Sequence, residues 1–341
     1  GVAESLRKQG QLLRKNKDYE AALAKFGEAL SISTVMNDKS SMAKTFNSIA
    51  ILNYKTDDKD NALKNWLHAL AIVEEFGDKP KISKYLNNIG IWYWQDYDYS
   101  KSIEYYQKSL LIKRELGDVR NIAKTLNNLG EVYFAMGDYP NSTTQFDESI
   151  EIKEKLQDNK GLNASLYNRG ETYFYSFEYN RAIDDFRRTI RMIEDEESDH
   201  ERYRYIGMSH FYLSNFDSCN FYLKKSDEFF ANDYRKRLAI LPYLVISYMK
   251  TGDNTLSNTA LKNFRDIISD YDPPDKDYII TNWAAYKALS AVNEKSEAAE
   301  YLENAYFMLK SKSKDIKNKQ DRKKYLSAKL HENIMNEWSK R

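Results

Sequence analysis

The chain has 341 residues, 42% of them hydrophobic and 30% charged, and its 52 basic and 51 acidic side chains leave a net charge of +1. Such a composition excludes a disordered chain, and the near-neutrality excludes bulk attraction to nucleic acid or to an anionic membrane, leaving only local patches. Cys219 is the single cysteine, which excludes an intrachain disulfide, and no apolar run approaches the roughly 20 residues that a bilayer span requires.

From the N terminus a small residue recurs at forty-residue steps: Gly10, Ala50, Gly90, Gly130 and Gly170. Twelve residues beyond each stands Ala22, Ala62, Ser102, Ser142 and Ala182, and four further an aromatic, Phe26, Trp66, Tyr106, Phe146 and Phe186. Three beyond that comes another small residue, Ala29, Ala69, Ser109, Ser149 and Thr189. Each unit predicts two helices. Leu126, Leu129, Gly130 and Tyr133 share one face of the first, and Ser142, Phe146 and Ser149 line the inner side of the second. Small residues let two backbones approach while the aromatic fills the space between them. The turns carry Asp18, Asp58, Asp98, Asp138 and Glu178 within units, and Asn37-Asp38, Gly77-Asp78, Gly117-Asp118 and Gln157-Asp158 between them. The first residue of each such dipeptide suits a left-handed helix end, and the acid can open the next helix. Gln157 fits that role worst.

Further on the pattern loosens. Gly207, Phe216, Cys219 and Leu223 make a sixth unit, and Leu241, Val245, Tyr248, Gly252-Asp253 and Leu261 a seventh. An eighth runs through Ala285-Tyr286, Leu289, Ala298, Leu302 and Ala305. The stretches 194–201 and 269–277 are expected to be longer joints. Tyr325, Leu326, Leu330, Ile334 and Trp338 then form one apolar stripe that predicts a terminal helix capping the array. A lone helix pair cannot bury its apolar face, so the units must stack. The expectation is an all-α solenoid of about eight helix-turn-helix repeats over 1–314, clear to about 193 and degenerate over 200–314, with a capping helix over 315–341.

These residues resemble the tetratricopeptide repeat, which places a small residue at its eighth position and small-x3-aromatic-x2-small in its second helix. The period departs from the family's 34 residues, and the six extra are expected to lengthen the second helix by roughly 9 Å. The wording around "LNNLGEVYFAMGDYPNS" looks like the long-period subclass of kinesin light chain, Pins-type adaptors and bacterial signalling arrays. The resemblance implies a right-handed superhelix that holds proteins or peptides in a concave groove and makes no bonds.

In that family the groove is lined by the first helix of each repeat. Carried over position by position, it receives Lys44, Lys84 and Lys124, then Asn47, Asn87, Asn88, Asn127, Asn128 and Asn168, and the aromatics Trp94, Phe134 and Phe174. Asparagine amides can pair with an extended peptide backbone. The lysines would favour acidic side chains or a C-terminal carboxylate on it, and the aromatics would supply apolar pockets. Each type also has a bland reading, namely amides that tie helices together, aromatics that pack within the stack and lysines on a solvated face. On the groove reading, replacing Asn87 and Asn127 by alanine leaves stability nearly intact. A carboxylate clamp is not expected, because Arg7, Gln11, Ser48, Lys84 and Asn88 occupy its places and two asparagines are missing.

Nothing in the sequence points to an enzyme or a cofactor. His68, His200, His210 and His331 show no metal spacing with Cys219, and Cys219 replaces a small packing residue, which predicts a buried inert thiol. The pairs Glu74-Glu75 and Asp184-Asp185 are expected on outward faces. The basic stretch Lys310 to Lys324 reads as solvated surface, since acids intersperse it and no aromatics do. The expected partner is therefore a protein or peptide, without nucleic acid or a membrane span, and the oligomeric state is open. The expected role is a scaffold or adaptor. The alternative is a sensory or regulatory region of a larger kinase, cyclase or transcription regulator. The start at Gly1-Val2-Ala3 suggests a trimmed chain, and a cytoplasmic location is the expectation.

Overall fold

A computed structural model describes residues 1–192, 195–270 and 278–341, so the two expected joints lie partly outside the described residues. Helices follow one another in the predicted order. The first five pairs are α1 (Val2–Lys15) with α2 (Tyr19–Val35), α3 (Lys39–Lys55) with α4 (Lys59–Glu75), α5 (Lys79–Gln95) with α6 (Tyr99–Glu115), α7 (Val119–Ala135) with α8 (Tyr139–Lys155), and α9 (Asn159–Tyr175) with α10 (Tyr179–Met192). The sixth is α11 (Glu196–Tyr212) with α12 (Phe216–Phe229), and a short α13 (Tyr234–Leu238) precedes α14 (Leu241–Lys250) and α15 (Asn254–Asp270). The eighth is α16 (Tyr278–Ala291) with α17 (Lys295–Asp315), followed by α18 (Lys319–Leu326) and α19 (Lys329–Trp338). The chain is an all-α solenoid of repeated helix pairs.

The forty-residue period has a simple local cause. In the second and third repeats both helices are 17 residues long and every turn has three residues. The expectation of a selectively lengthened second helix is therefore corrected, because the two helices of a pair are equal. Each turn uses one aspartate twice. The amide of Asp58 donates to Asn53 O at 2.9 Å, closing α3, while its carboxylate accepts from the Asn61 amide and opens α4. Asp38, Asp78, Asp98, Asp118, Asp138 and Asp158 repeat both bonds, and a side-chain cap of this kind is worth about 1 kcal/mol. The preceding residue takes the left-handed conformation. Between repeats it is Asn37, Gly77, Gly117 or Gln157, and within repeats Lys17, Asp57, Tyr97, Gly137 or Phe177. Gln157, the poorest expected fit, adopts it with φ 54°.

The helices form two compact units, Gly1–Val132 and Tyr133–Arg341. In the first, α1 to α6 pack with the start of α7. A Cβ on Gly10 would stand 2.6 Å from the Phe26 ring, and one on Gly90 2.8 Å from the Tyr106 ring, so the glycines admit the aromatics sixteen residues on. The small residues of α6 serve the same approach: Ser102 Oγ donates to Gly90 O at 2.8 Å and Ser109 Oγ to Ser83 O at 2.6 Å. Phe26, Trp66 and Tyr106 are buried in consequence.

The second unit continues this packing through α8 to α17. Gly170 faces the Phe186 ring and Gly207 faces Leu223. Cys219 is fully buried, and burial pushes its thiol up to about 12. The C-terminal stripe forms two helices instead of one, interrupted at Ser327 and Ala328. These helices reach the turns of the fourth and fifth repeats. Lys324 Nζ lies 2.6 Å from Asp138 Oδ2, and Lys329 Nζ stands 4.7 Å from the centre of the Phe177 ring. Of the five turns within the early repeats only the one at residue 137 has a glycine, and a Cβ there would meet Ala328 Cβ at 2.8 Å. Lys324, from the basic stretch, thus holds this terminal pair to the array.

Candidate functional site

In the first unit the inner helices α3, α5 and α7 display the predicted lysines and amides. Lys84 and Lys124 are exposed and Lys44 is half-buried, its charge reaching Glu4, Asp38 and Asp78. The amides are more engaged. Asn47 is buried, and its Oδ1 accepts from Trp66 Nε1 at 3.2 Å and from Asn88 Nδ2 at 3.0 Å. Asn87 Oδ1 accepts from Lys113 Nζ at 3.2 Å and from Thr125 Oγ1 at 3.1 Å. Asn127 donates to Glu131 Oε1 at 2.7 Å, and Asn128 hydrogen-bonds the Tyr106 hydroxyl. Asn47 and Asn87 therefore tie helices together, whereas Asn88, Asn127 and Asn128 are half-buried along the same face.

Sequence reasoning missed the partner of Asn87. Lys113 is 6% exposed and its ammonium also donates to Thr125 Oγ1 at 2.6 Å. Burial pulls its pKa down to about 8. Lys153, one repeat later, is likewise buried and donates to Ser165 Oγ at 2.6 Å. The forty-residue spacing of two lysines within an otherwise apolar register was the available signal.

In the second unit the aromatics divide. Trp94, in the first unit, is half-buried, as is Phe134, which packs edge-on against Tyr175. Phe174 is buried among Tyr175, Tyr179, Tyr205 and Tyr212, so it serves packing. Asn168 is half-buried, and its carbonyl accepts from Thr172 Oγ1. Asp185 corrects an expectation. It is not outward but buried, held by Arg169 through Nε at 2.7 Å and Nη2 at 2.6 Å. Glu74 and Glu75 do lie exposed.

The same unit holds a cavity of about 320 Å³ between α9, α11, α13 and the start of α16. Its charged wall is Glu171, Glu201 and Arg204, its aromatic wall Tyr167, Tyr175 and Tyr205, and its apolar side Leu238, Ala239 and Ile280. Tyr205 donates its hydroxyl to Glu171 Oε1, and Arg204 pairs with Glu201 while its guanidinium lies 4.4 Å from the Tyr205 ring centre. Burial raises Glu171 to about 7, against the opposing hydrogen bond from Tyr205. Burial also acts against the charge of Glu201, but Arg204 outweighs it and holds that carboxyl below its usual range. Among the described residues Glu201 Oε2 and Arg204 Nε are buried without a hydrogen-bond partner. At the mouth, Arg235 is exposed and Lys236 Nζ lies 3.3 Å from Glu197 and 3.9 Å from Glu201.

This constellation was legible in part. Counting from Gly170 and Gly207 as eighth positions, Tyr167 and Arg204 are fifth, Glu201 second, Tyr205 sixth, Glu171 ninth and Tyr175 thirteenth. All are inner places of the motif. Tyr167 is a fifth-place residue that the family pattern assigns to the groove, whereas the others are hidden because the sixth unit follows after 37 residues and because the ninth and thirteenth places were not carried over.

With this geometry in view, comparisons with known proteins place the architecture. The family model described as tetratricopeptide repeat matches residues 41–115 and 121–195. Over these two stretches the chain is similar to tetratricopeptide-repeat proteins. No curated protein sequence matches it. Among solved structures it is similar to the apo form of RapI, with 17% identity and a TM-score of 0.58 over 79% of this chain and 99% of that one. It is also similar to a Rap protein complexed with Competence and Sporulation Factor, with 11% identity and a TM-score of 0.55 over 92% and 99%. A signal transduction ATPase with a tetratricopeptide repeat sensor, from Pyrococcus horikoshii, aligns with 14% identity and a TM-score of 0.68 over 88% of this chain and 44% of that one. At these identities the likeness is one of fold.

Proposed function

We propose that the chain is a non-catalytic interaction scaffold that binds a peptide segment of a partner along its inner helices, with the second-unit cavity as the principal seat. Tetratricopeptide repeats commonly mediate protein–protein interaction, and among the described residues no helix is long and apolar enough to cross a membrane. The observation that carries the reading is the cavity itself, where charged, phenolic and apolar side chains from four helices converge on a space of about 320 Å³. Such a mixture anchors a ligand by its apolar area and orients it by a few polar groups. Within the first unit the exposed Lys84 and Lys124, with Lys44, Asn88, Asn127, Asn128 and Trp94, offer a polar and aromatic face that favours acidic groups.

A second reading gives the same surface a regulatory setting, in which the scaffold is the sensing part of a larger signalling protein. It is favoured by the fold shared with the repeat sensor of the Pyrococcus ATPase, of which this chain matches less than half.

The test is selection from a displayed library of random heptapeptides on the wild-type chain, beside Ala239→Trp, which fills the cavity, and Lys84→Glu with Lys124→Glu. Peptides enriched on the wild type and lost on Ala239→Trp support the cavity as the seat. Equal enrichment on both contradicts it.

A further inference from the structure

We infer that the second-unit cavity selects a cationic group, the guanidinium or ammonium of a peptide's Arg or Lys, and seats it against Glu171 within the ring of tyrosines. This deepens the peptide-binding reading and rests on it. The argument begins with charge. Three ionisable groups line the depth of the cavity, Glu171 and Glu201 against Arg204. Arg204 is committed to Glu201 by a direct ion pair. Glu171 receives instead a hydrogen bond from the Tyr205 hydroxyl, with Tyr167 as a second phenolic donor. A half-buried carboxylate held by phenols, with no direct ion pair among the described residues and only the field of Arg204 beside it, can accept a cation.

The surroundings fit the missing half. Tyr167, Tyr175 and Tyr205 bring three aromatic rings to the same space, and ring faces attract ammonium and guanidinium groups, most strongly where water is excluded. Glu201 Oε2, which has no hydrogen bond among the described residues and lies 3.9 Å from Lys236 Nζ, adds a further acceptor on that wall, able to take one N–H of a planar guanidinium without breaking the pair with Arg204. An anionic ligand fits less well, because Arg204 already pairs with Glu201 and keeps only its Nε unsatisfied, Lys236 lies beside Glu197 and Glu201, and Arg235 stands at the exposed mouth. Those mouth cations, with Asp233 capping α13, would meet whatever follows the inserted side chain. Leu238, Ala239 and Ile280 cover its methylene stem.

A pH signature follows. Burial holds Glu171 near pH 7 in the empty cavity, so a bound cation must draw out its proton below that pH. Binding should tighten as pH rises from 6 to 8. The other groups facing it are Tyr167 and Tyr175 on α9, Glu201, Arg204 and Tyr205 on α11, and Asp233, Arg235 and Lys236 on α13. Burial raises the three phenols, Arg204 keeps Glu201 ionised and Arg204 itself is held charged, so these five groups keep their charge in that window.

The experiment is saturation-transfer NMR of the full chain with N-acetylarginine amide and with its neutral isostere N-acetylcitrulline amide. The expected result is binding of the arginine probe, several-fold tighter at pH 8 than at pH 6, at least tenfold weaker binding of citrulline, and loss of the arginine preference in Glu171→Gln. Glutamine can still accept from Tyr205, and unchanged circular dichroism of that variant confirms its fold. Equal binding of both probes, abolished by Ala239→Trp, would overturn the cation assignment while leaving the cavity as a peptide seat. Absence of binding by the arginine probe at either pH would also overturn it.

Discussion

The ammonium of Lys113 lies inside the first unit with Asn87 and Thr125 as its acceptors. Its folded pKa of about 8 lies below the ordinary lysine value of about 10.4. Below pH 8 both states carry the proton, and the folded state bears the full cost of the buried charge. Between about pH 8 and 10 the unfolded chain binds more protons, so stability rises with pH. Lys113→Met is predicted to be no less stable than the wild type at pH 7 and to lose that rise, as urea unfolding from pH 7 to 10 would show. Asn87→Ala removes an acceptor from the same ammonium and is predicted to cost about 1–3 kcal/mol. This runs against the sequence expectation that replacing Asn87 together with Asn127 leaves stability nearly intact. Spacing located the residue on the right helix face, but a lone sequence cannot tell an amide facing a partner from one facing a lysine 26 positions away.

Among the elements, the helix pairs were the most readable feature, because capping aspartates and small-aromatic-small spacing are local. The terminal stripe was misread as one helix, since nothing in "KYLSAKL" forbids a helix through Ser327 and Ala328. A distant contact decides there: Ala328 seats on Gly137, and Lys324 and Lys329 hold Asp138 and Phe177 on either side. Gly137 and Gly117 share positive φ, but a side chain at 117 would meet nothing within 4 Å. Gly117→Val is therefore predicted to cost only backbone strain, on the order of 1–2 kcal/mol. Gly137→Val adds displacement of α18 and α19, read as faster tryptic cleavage among the lysines of 319–329. Equal protease resistance of the two variants would show that the terminal pair does not depend on this seat.

For the molecule as a whole, periodicity pointed to an all-α repeat protein, while the seat proposed for binding came from convergence in space. The predicted lysines and, apart from Asn168 on α9, the amides stand on α3, α5 and α7, whereas the cavity draws on α9 of the last clear repeat and on α11, α13 and α16 of the degenerate ones. A repeat that departs from consensus gives up regular packing, and here Glu201 and Arg204 of the sixth unit occupy inner places opposite Glu171 of the fifth. The most direct test of the account is hydrogen–deuterium exchange of the full chain with and without a peptide selected on it. The account predicts slowed exchange in α9, α11 and α13 on binding, absent in Ala239→Trp. Protection confined to the outer helices α10 and α12, or protection that persists in Ala239→Trp, would contradict it.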